Sequence, residues 1–186
     1  DADRAAAAAL LAPLAGASAP IALHAGAGSP IKRWPAARWA AALRAVTAEG
    51  EAVVLTGGPG EAGLAAEAAA ELAAAGRAAL DLSARTDLGA LAAVYSRCRL
   101  VVGPDSGPLH LAVAVGTPTL HLFGPADAAR FGPWGPPERH AVVASGLVCA
   151  PCGRLDWPDP LDHPCVRAIE AGRVAAALAR LVRAGS

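Results

Sequence analysis

Short apolar runs alternate along the chain with longer segments in which apolar residues recur every three or four positions. The runs have the length of strands, and the longer segments have the period of helices. Strands that are apolar on both faces and alternate with helices are typical of a parallel sheet covered on both sides. Six such runs are present, namely PIALH, AVVLT, AALDL, RLVVG, TPTLHLF and HAVVA.

This alternation predicts an α/β fold with a doubly wound, Rossmann-like parallel sheet, because crossover connections between parallel strands are right-handed. Folds of this kind bind ligands beyond the carboxyl ends of their strands. Polar and glycine-rich segments follow five of the predicted strands, at residues 26–32, 56–61, 83–87, 103–110 and 123–127. A ligand site is therefore expected at this edge of the sheet.

The pattern also predicts how the chain is divided. Residues 1–19 are interpreted as a linker or the end of a preceding helix, and residues 20–186 as a single domain. Within it, residues 131–165 form a loop region rich in Pro, Gly and Cys, and residues 166–184 form a closing amphipathic helix. Thr86 is expected to cap the helix that follows the third strand.

Charge and composition exclude several classes of protein. Sixteen basic and sixteen acidic residues give no net charge, and no block of like charge argues for nucleic-acid binding. No apolar run reaches the roughly 18 residues of a membrane span, and the first residues shown have no signal-peptide pattern. A cytoplasmic location is expected, with peripheral attachment to the inner face of the cytoplasmic membrane as an alternative. The absence of Met suggests a piece of a longer protein.

The segment GPDSGPLH joins the fourth strand to a helix and carries several polar groups. Asp105 or Ser106 can cap that helix, whose positive N-terminus attracts a phosphate. Gly107 leaves the backbone open to close approach by a ligand. His110 lies one turn after Ser106, so both side chains can face one anion. The alternative is a capped helix with a buried structural histidine.

Two further polar groups follow the first two strands. Lys32 lies in a loop with Gly26 and Ser29, where its charge can meet a diphosphate; the alternative is a solvated surface lysine. Glu61 follows the second strand, where an acid can accept from ribose hydroxyls. Equally, Glu61 can complement the positive end of the following helix.

The cysteines offer a second kind of site. Cys149, Cys152 and Cys165 follow a C-x2-C-x12-C spacing, with His163 two residues before the last. Three cysteines and one histidine are a zinc ligand set, although the H-x-C spacing is unusual for one. The preferred interpretation has no metal and no cofactor, with structural zinc kept as the alternative.

Other catalytic motifs are absent from the sequence. It has no complete G-x-G-x-x-G, so the pattern does not indicate a dinucleotide cofactor. Asp105, Ser106 and His110 are too close in sequence to form a hydrolytic triad easily, and GPDSG is not a G-x-S-x-G elbow.

Taken together, these motifs resemble the heptosyltransferase-type family of glycosyltransferases (glycosyltransferase family 9). The resemblance rests on HAGAGSPIKRWPAARWAAAL, VVLTGGPGE, DSGPLHLA followed by GTPTLHLFG, and the terminal CAPC…HPCVRAIEAGRV. It covers nearly the whole chain from about residue 20. It implies the C-terminal half of a two-domain GT-B fold, which binds the nucleotide-sugar donor, typically ADP-heptose.

The resemblance also implies roles for single residues. Lys32 matches the lysine that meets the donor phosphates, and Asp105, Ser106, Gly107 and His110 match the motif around the sugar and diphosphate. Glu61 resembles the acid at the nucleoside.

The implied activity is inverting, metal-independent transfer of heptose, or a related sugar, to a lipid-linked saccharide acceptor in the lipopolysaccharide core. In this family the N-terminal half binds the acceptor and supplies the catalytic base, and no match to that half is found here. Two alternatives stay open: a stand-alone, non-catalytic nucleotide-binding module, and a zinc-stabilised structural or interaction domain.

Overall fold

Six parallel strands form the centre of the protein, which a computed structural model describes over residues 2–184. Their order in the sheet is β3-β2-β1-β4-β5-β6, with all five neighbouring pairs parallel. This order is that of a doubly wound Rossmann-like sheet, so the predicted fold class is confirmed. The strands are β1 (Ile21–His24), β2 (Ala52–Thr56), β3 (Ala78–Asp81), β4 (Leu100–Pro104), β5 (Thr119–Phe123) and β6 (His140–Ala144).

Helices cover both faces of this sheet. None of the helices within residues 2–184 has the length and apolar character needed to cross a membrane. The helices are α1 (Ala2–Leu11), α2 (Ala36–Arg44), α3 (Ala62–Ala74), α4 (Leu88–Tyr95), α5 (Gly107–Ala114), α6 (Ala128–Phe131), α7 (Pro164–Arg167) and α8 (Ala171–Ala184).

Two apolar cores lie on opposite faces of the sheet because successive strand residues point to opposite sides. On β1, Leu23 belongs to the core under α2, α3 and α8, whereas Ala22 belongs to the core under α1, α4 and α5. Trp39 of α2 is fully buried in the first core. Tyr95 of α4 is fully buried in the second, where it contacts Thr56 of β2 through a 2.9 Å hydroxyl–hydroxyl hydrogen bond.

The N-terminal helix α1 packs against α4 and contributes to the second core. Its Ala7 is completely buried there, although alanine removes little apolar surface from water. An acidic residue, Asp3, occupies the first turn of α1, where it complements the positive end of the helix dipole.

The predicted closing helix at residues 166–184 is in fact two helices, α7 and α8. The break falls at Ile169, whose carbonyl accepts hydrogen bonds from Trp34 Nε1 at 3.1 Å and from Arg38 Nη1 at 2.9 Å. These donors, which come from outside the helix, take the place of the amide that would continue it. The predicted apolar stripe is nevertheless buried along its whole length, at Val166, Ile169, Val174, Leu178 and Leu181.

One further difference is local. Asp87, rather than the predicted Thr86, caps α4, because its Oδ1 accepts from the amide of Ala90 at 2.8 Å. Within the predicted loop region at residues 131–165, the sixth predicted strand is present as β6, which pairs with β5 along its whole length.

Two buried histidines, His121 and His140, lie on the neighbouring strands β5 and β6. His121 is completely buried; its Nε2 lies 2.9 Å from Thr119 Oγ1, and its Nδ1 has no partner within residues 2–184. Burial, followed by the neighbouring His110 and His140, lowers the pKa of His121 to about 3. This side chain is therefore neutral in the folded protein at pH 5 and above.

We expect His121 to make the fold sensitive to mild acid. Between its ordinary pKa of 6.5 and about 3, the unfolded chain binds a proton that the folded chain does not, so stability falls as pH falls. One such group contributes about 2 kcal/mol of destabilisation between pH 7 and pH 5. Urea unfolding of wild-type and His121→Gln protein at both pH values checks this. Equal pH dependence in the two proteins would contradict the assignment.

Candidate functional site

Two neighbouring cavities open at the carboxyl edge of the sheet. The first, called the Lys32 cavity, measures about 560 Å³. The second, called the Glu61 cavity, measures about 430 Å³. The Lys32 cavity is lined by Lys32, Asp105, His110, Pro125, Ala126, Asp127, Arg130, Phe131, Pro151, Gly153 and Leu155. The Glu61 cavity is lined by His24, Ala27, Gly28, Gly57, Gly58, Glu61, Thr86, Asp87, Leu88, Leu91, Ser106, Gly107 and Pro108.

An ion pair joins the loops that follow β1 and β4. Lys32 ends a 3-10 turn, Pro30–Lys32, and its Nζ lies 2.6 Å from Asp105 Oδ2. The lysine side chain is 21% exposed and the aspartate side chain 9% exposed, so the pair is largely shielded from water but keeps access to the cavity. A charge-assisted hydrogen bond of this length holds the ammonium group in one place. Lys32 is the only lysine in the sequence.

The N-terminus of α5 lies beside this pair. Ser106 takes the N-cap position with extended backbone, but its side chain makes no capping bond. Its Oγ is buried and has no hydrogen-bond partner among the described residues. A Cβ built on Gly107 would meet nothing within 4 Å, so the backbone at the start of the helix is open to the Glu61 cavity.

His110 and Ser106 are separated by this arrangement. Their spacing predicted that both would face one anion, but His110 lines the Lys32 cavity whereas Ser106 and Gly107 line the Glu61 cavity. The two groups can act together only on a ligand that extends across both cavities. The His110 ring also contacts that of His121, with 5.5 Å between ring centroids.

Glu61 is held in a defined orientation by the backbone of its own loop. Its Oε2 accepts from the amide of Gly58 at 2.8 Å and lies 3.7 Å from Nε2 of the buried His24. Burial lowers the pKa of His24, while the Glu61 carboxylate and the contact with Thr56 act in the opposite direction. The carboxylate is thus both a structural acceptor and part of the cavity wall.

Gly26 and Ser29 are not lining residues of either cavity. Gly26 is buried beneath Glu61, so closely that a Cβ there would overlap the carboxylate. The carbonyl of Ser29 accepts from the amide of Lys32 at 3.1 Å and so helps to form the turn that carries the lysine. Both residues therefore position the predicted site residues.

Sequence reasoning missed a second cation in the Lys32 cavity. Arg130 of α6 lines the same cavity as Lys32, and its guanidinium lies 4.9 Å from the centroid of the Phe131 ring. The sequence could have indicated Arg130, because this residue follows the polar segment at 123–127, beyond the carboxyl end of β5. Asp127, which caps α6 by accepting from the amide of Ala129 at 2.9 Å, belongs to the same wall.

Residues 149–165, called the cysteine segment, form another part of the wall of the Lys32 cavity. Cys152, which lies between the lining residues Pro151 and Gly153, has its sulfur near His163 and Cys165. Cys149 is exposed, and all four cysteines of the chain are free thiols. The structure thus brings together three of the four residues named as alternative zinc ligands.

Most of the chain matches a known protein family. The model of glycosyltransferase family 9 (heptosyltransferase) matches residues 2–156. Lipopolysaccharide heptosyltransferase 1 of Pseudomonas aeruginosa is 35% identical over 126 residues, which cover 65% of this chain and 32% of that protein. Lipopolysaccharide heptosyltransferase 3 of Escherichia coli is 34% identical over 103 residues, covering 55% and 30%. The chain spans about a third of the length of these relatives.

Solved structures show the same fold. A family 9 glycosyltransferase from Veillonella parvula superimposes with a TM-score of 0.81 at 22% identity, over 98% of this chain and 52% of that one. ADP-heptose lipopolysaccharide heptosyltransferase II of Escherichia coli gives 0.73 at 22% identity with the same coverage. The predicted fold, a Rossmann-like domain of the GT-B type, is therefore confirmed.

We expect Gly26→Ala to destabilise the protein by displacing Glu61. The new methyl group would force the carboxylate away from the Gly58 amide, and loss of a hydrogen bond to a charged group costs about 1–2 kcal/mol. Gly28→Ala is the matched control in the same loop, because a Cβ at Gly28 meets nothing within 4 Å. Chemical denaturation measures both.

A double-mutant cycle with Glu61→Ala identifies the cause. Once the carboxylate is absent, Gly26→Ala should cost little more. An undiminished cost in the Glu61→Ala background would show that Gly26 is required for another reason.

Proposed function

Because the chain belongs to glycosyltransferase family 9 (heptosyltransferase), we propose that its Rossmann-like domain binds the nucleotide-sugar donor of a glycosyl transfer reaction. The proposed reaction transfers a heptose, or a related sugar, from a nucleoside-diphosphate sugar to an acceptor in the lipopolysaccharide core. ADP-heptose is the proposed donor. The relatives that support this choice are lipopolysaccharide heptosyltransferases, and one solved structure is that of an Escherichia coli heptosyltransferase with ADP.

The observation that carries the proposal is the Lys32–Asp105 pair at the switch point of the sheet. The strand order reverses between β1 and β4, and ligands of open α/β sheets bind in the crevice at such a point. Lys32 follows β1 and Asp105 follows β4. A cavity of about 560 Å³ has room for a diphosphate, and its wall offers the two cations Lys32 and Arg130 beside the carboxylates of Asp105 and Asp127.

The chemistry of the proposed reaction requires stabilisation of a leaving group. The acceptor oxygen bonds to the anomeric carbon on the face opposite the diphosphate, the bond from that carbon to the diphosphate oxygen breaks, and the sugar inverts. Negative charge develops on the diphosphate as it leaves. We propose that Lys32 and His110 in the Lys32 cavity, and the amide of Gly107 in the Glu61 cavity, stabilise that charge, an effect that is strongest in a water-poor cavity.

Asp105 is proposed to orient Lys32 and to contact the sugar. Its carboxylate holds the ammonium group at 2.6 Å, and a carboxylate oxygen that is not used in this bond can accept from a sugar hydroxyl. Glu61 is proposed to accept from the nucleoside ribose in the Glu61 cavity. The hydrogen bond that its Oε2 accepts from the Gly58 amide keeps the carboxylate in place. The donor would thus extend over both cavities.

The acceptor hydroxyl must lose its proton to a general base. We propose that this base, and the surface that binds the lipid-linked acceptor, belong to an acceptor-binding half outside these 186 residues. The reaction is proposed to need no metal ion, because cationic side chains and helix amides supply the positive charge. A cytoplasmic location, free or at the inner face of the membrane, is proposed with it.

A nucleotide-binding module without transfer activity is the second candidate. What favours it is that the chain spans about a third of the length of its curated relatives, and every role proposed above for a described residue concerns the donor. Incubation of the full-length protein with ADP-heptose and a heptose-deficient lipopolysaccharide core distinguishes the candidates. Mass spectrometry of the product shows transfer, and its absence with retained ADP binding would favour the module.

We expect Lys32→Ala to weaken ADP binding about tenfold or more, since it removes a direct charge–phosphate contact. Isothermal titration calorimetry measures the dissociation constant, with unfolding temperature recorded because the substitution leaves Asp105 unpaired. Arg44→Ala is the matched control: it removes one positive charge from an exposed position in the last turn of α2. No ADP binding by wild-type protein at millimolar concentration would refute the donor site.

A further inference from the structure

The cysteine segment forms a cluster whose geometry is that of a metal site. The ligand atoms of Cys152, His163 and Cys165 all lie within 4.8 Å of one another. The Cys152 and Cys165 sulfurs are 3.8 Å apart, and Cys152 Sγ is 3.6 Å from His163 Nε2. Tetrahedral zinc with ordinary bond lengths separates two sulfur ligands by about 3.8 Å and sulfur from nitrogen by about 3.6 Å. Both distances match the separations between two ligands of one tetrahedral zinc ion.

A fourth ligand is within reach. Cys149 lies three residues before Cys152 in an exposed position, outside the cluster of three. It is near enough to Cys165 to add, after burial and Cys152, to the causes that raise the pKa of the Cys165 thiol. Two cysteines in a C-x2-C spacing, followed by ligands from a second segment, are a common arrangement in structural zinc sites.

The surroundings suit a closed structural site. His163 and Cys165 are almost completely buried, at 2% and 1% exposure, and the ring of Trp157 packs edge-on against that of His163 at 5.0 Å between centroids. Cys98, the remaining cysteine, is buried elsewhere under α4 and takes no part in the cluster. The fold therefore brings Cys152, His163 and Cys165 together at one place.

We propose that Cys149, Cys152, His163 and Cys165 bind one zinc ion in a Cys3His site. Each thiol loses its proton to solvent on binding, and no electron is transferred. Nε2 of His163 must present its lone pair, so the neutral ring carries its proton on Nδ1 and gives up the 3.2 Å contact in which Nδ1 accepts from the Cys165 amide. Four protein ligands leave no open position, so the role is structural rather than catalytic.

The ion would hold one wall of the Lys32 cavity in place. Pro151, Gly153 and Leu155 line that cavity and flank Cys152 in the chain, and the Gly153 amide donates to the carbonyl of Pro125 at 2.9 Å. Zinc would connect this segment to α7, which carries Cys165. The expected effect of zinc on donor binding rests on the proposed function, whereas the binding of zinc itself does not.

The first test is metal content. Protein purified without chelator should contain about one zinc ion per chain by inductively coupled plasma mass spectrometry. Cys152→Ser should carry less than about a tenth of that amount, because one lost thiolate greatly weakens a four-ligand site. Cys98→Ala is the matched control and should retain full occupancy. Equal zinc in Cys152→Ser and wild-type protein would overturn the proposal.

A second measurement does not depend on the folding of a variant. Wild-type protein stripped of metal and titrated with Co²⁺ should develop the visible bands of tetrahedral cobalt and the near-ultraviolet charge-transfer band of thiolate ligation. Failure to bind either Co²⁺ or Zn²⁺ under reducing conditions would refute the site. Recovery of a Cys152–Cys165 disulfide from protein kept under reducing conditions would also refute it.

The link to the cavity is tested separately. Removal of zinc should lower the unfolding temperature and weaken ADP binding by several-fold, and returning the ion should restore both. A protein that binds zinc but never binds ADP would disprove the proposed function and leave the metal site standing. Unchanged ADP affinity after zinc removal would refute the role of the ion in the cavity wall.

Discussion

The parallel pairing of β1 with β4 determines where the Lys32–Asp105 pair of the site lies. Residues Ile21 to Leu23 align with Leu100 to Val102, so both strands end at the same level of the sheet. A Cβ on Gly103 would collide with the carbonyl of His24 and lie 2.7 Å from Leu109 Cδ2, which shows how closely β4 approaches β1 and α5. The loops that leave these strands therefore begin side by side, and Lys32 meets Asp105 although 73 residues separate them.

Restricted access of water strengthens the electrostatic interactions of Lys32 and Asp105. The Lys32–Asp105 pair is shielded but not sealed, so its charges are screened less than surface charges and a ligand can still reach them. The unpartnered Ser106 hydroxyl nearby is costly unless something satisfies it, and such groups are rare in folded proteins. Charge and hydrogen-bonding capacity lie where the sheet opens, and the opposite ends of the strands carry an ion pair of their own, between Arg99 Nη2 and Glu51 Oε2 at 2.9 Å.

The sequence predicted the fold well because the information lies in short-range patterns. Apolar runs of strand length, alternating with segments of helical period, were sufficient for the sheet and its helices. The break at Ile169 was not predictable, because it depends on donors from Trp34 and Arg38 that are far away in sequence. The separation of Ser106 from His110 is of the same kind. Helical spacing places both on one side of α5, but the surrounding loops decide which cavity each one lines.

The single lysine has a consequence for the chemistry of the whole chain. No other side chain of these 186 residues carries a primary amine, and this one is 21% exposed at the rim of a cavity. Acylating or Schiff-base-forming reagents that react with side-chain amines therefore have one target, and it is the atom that a phosphate ligand would cover. Covalent modification and ligand occupancy compete for Nζ of Lys32, so the extent of labelling reports directly how much of the site is filled.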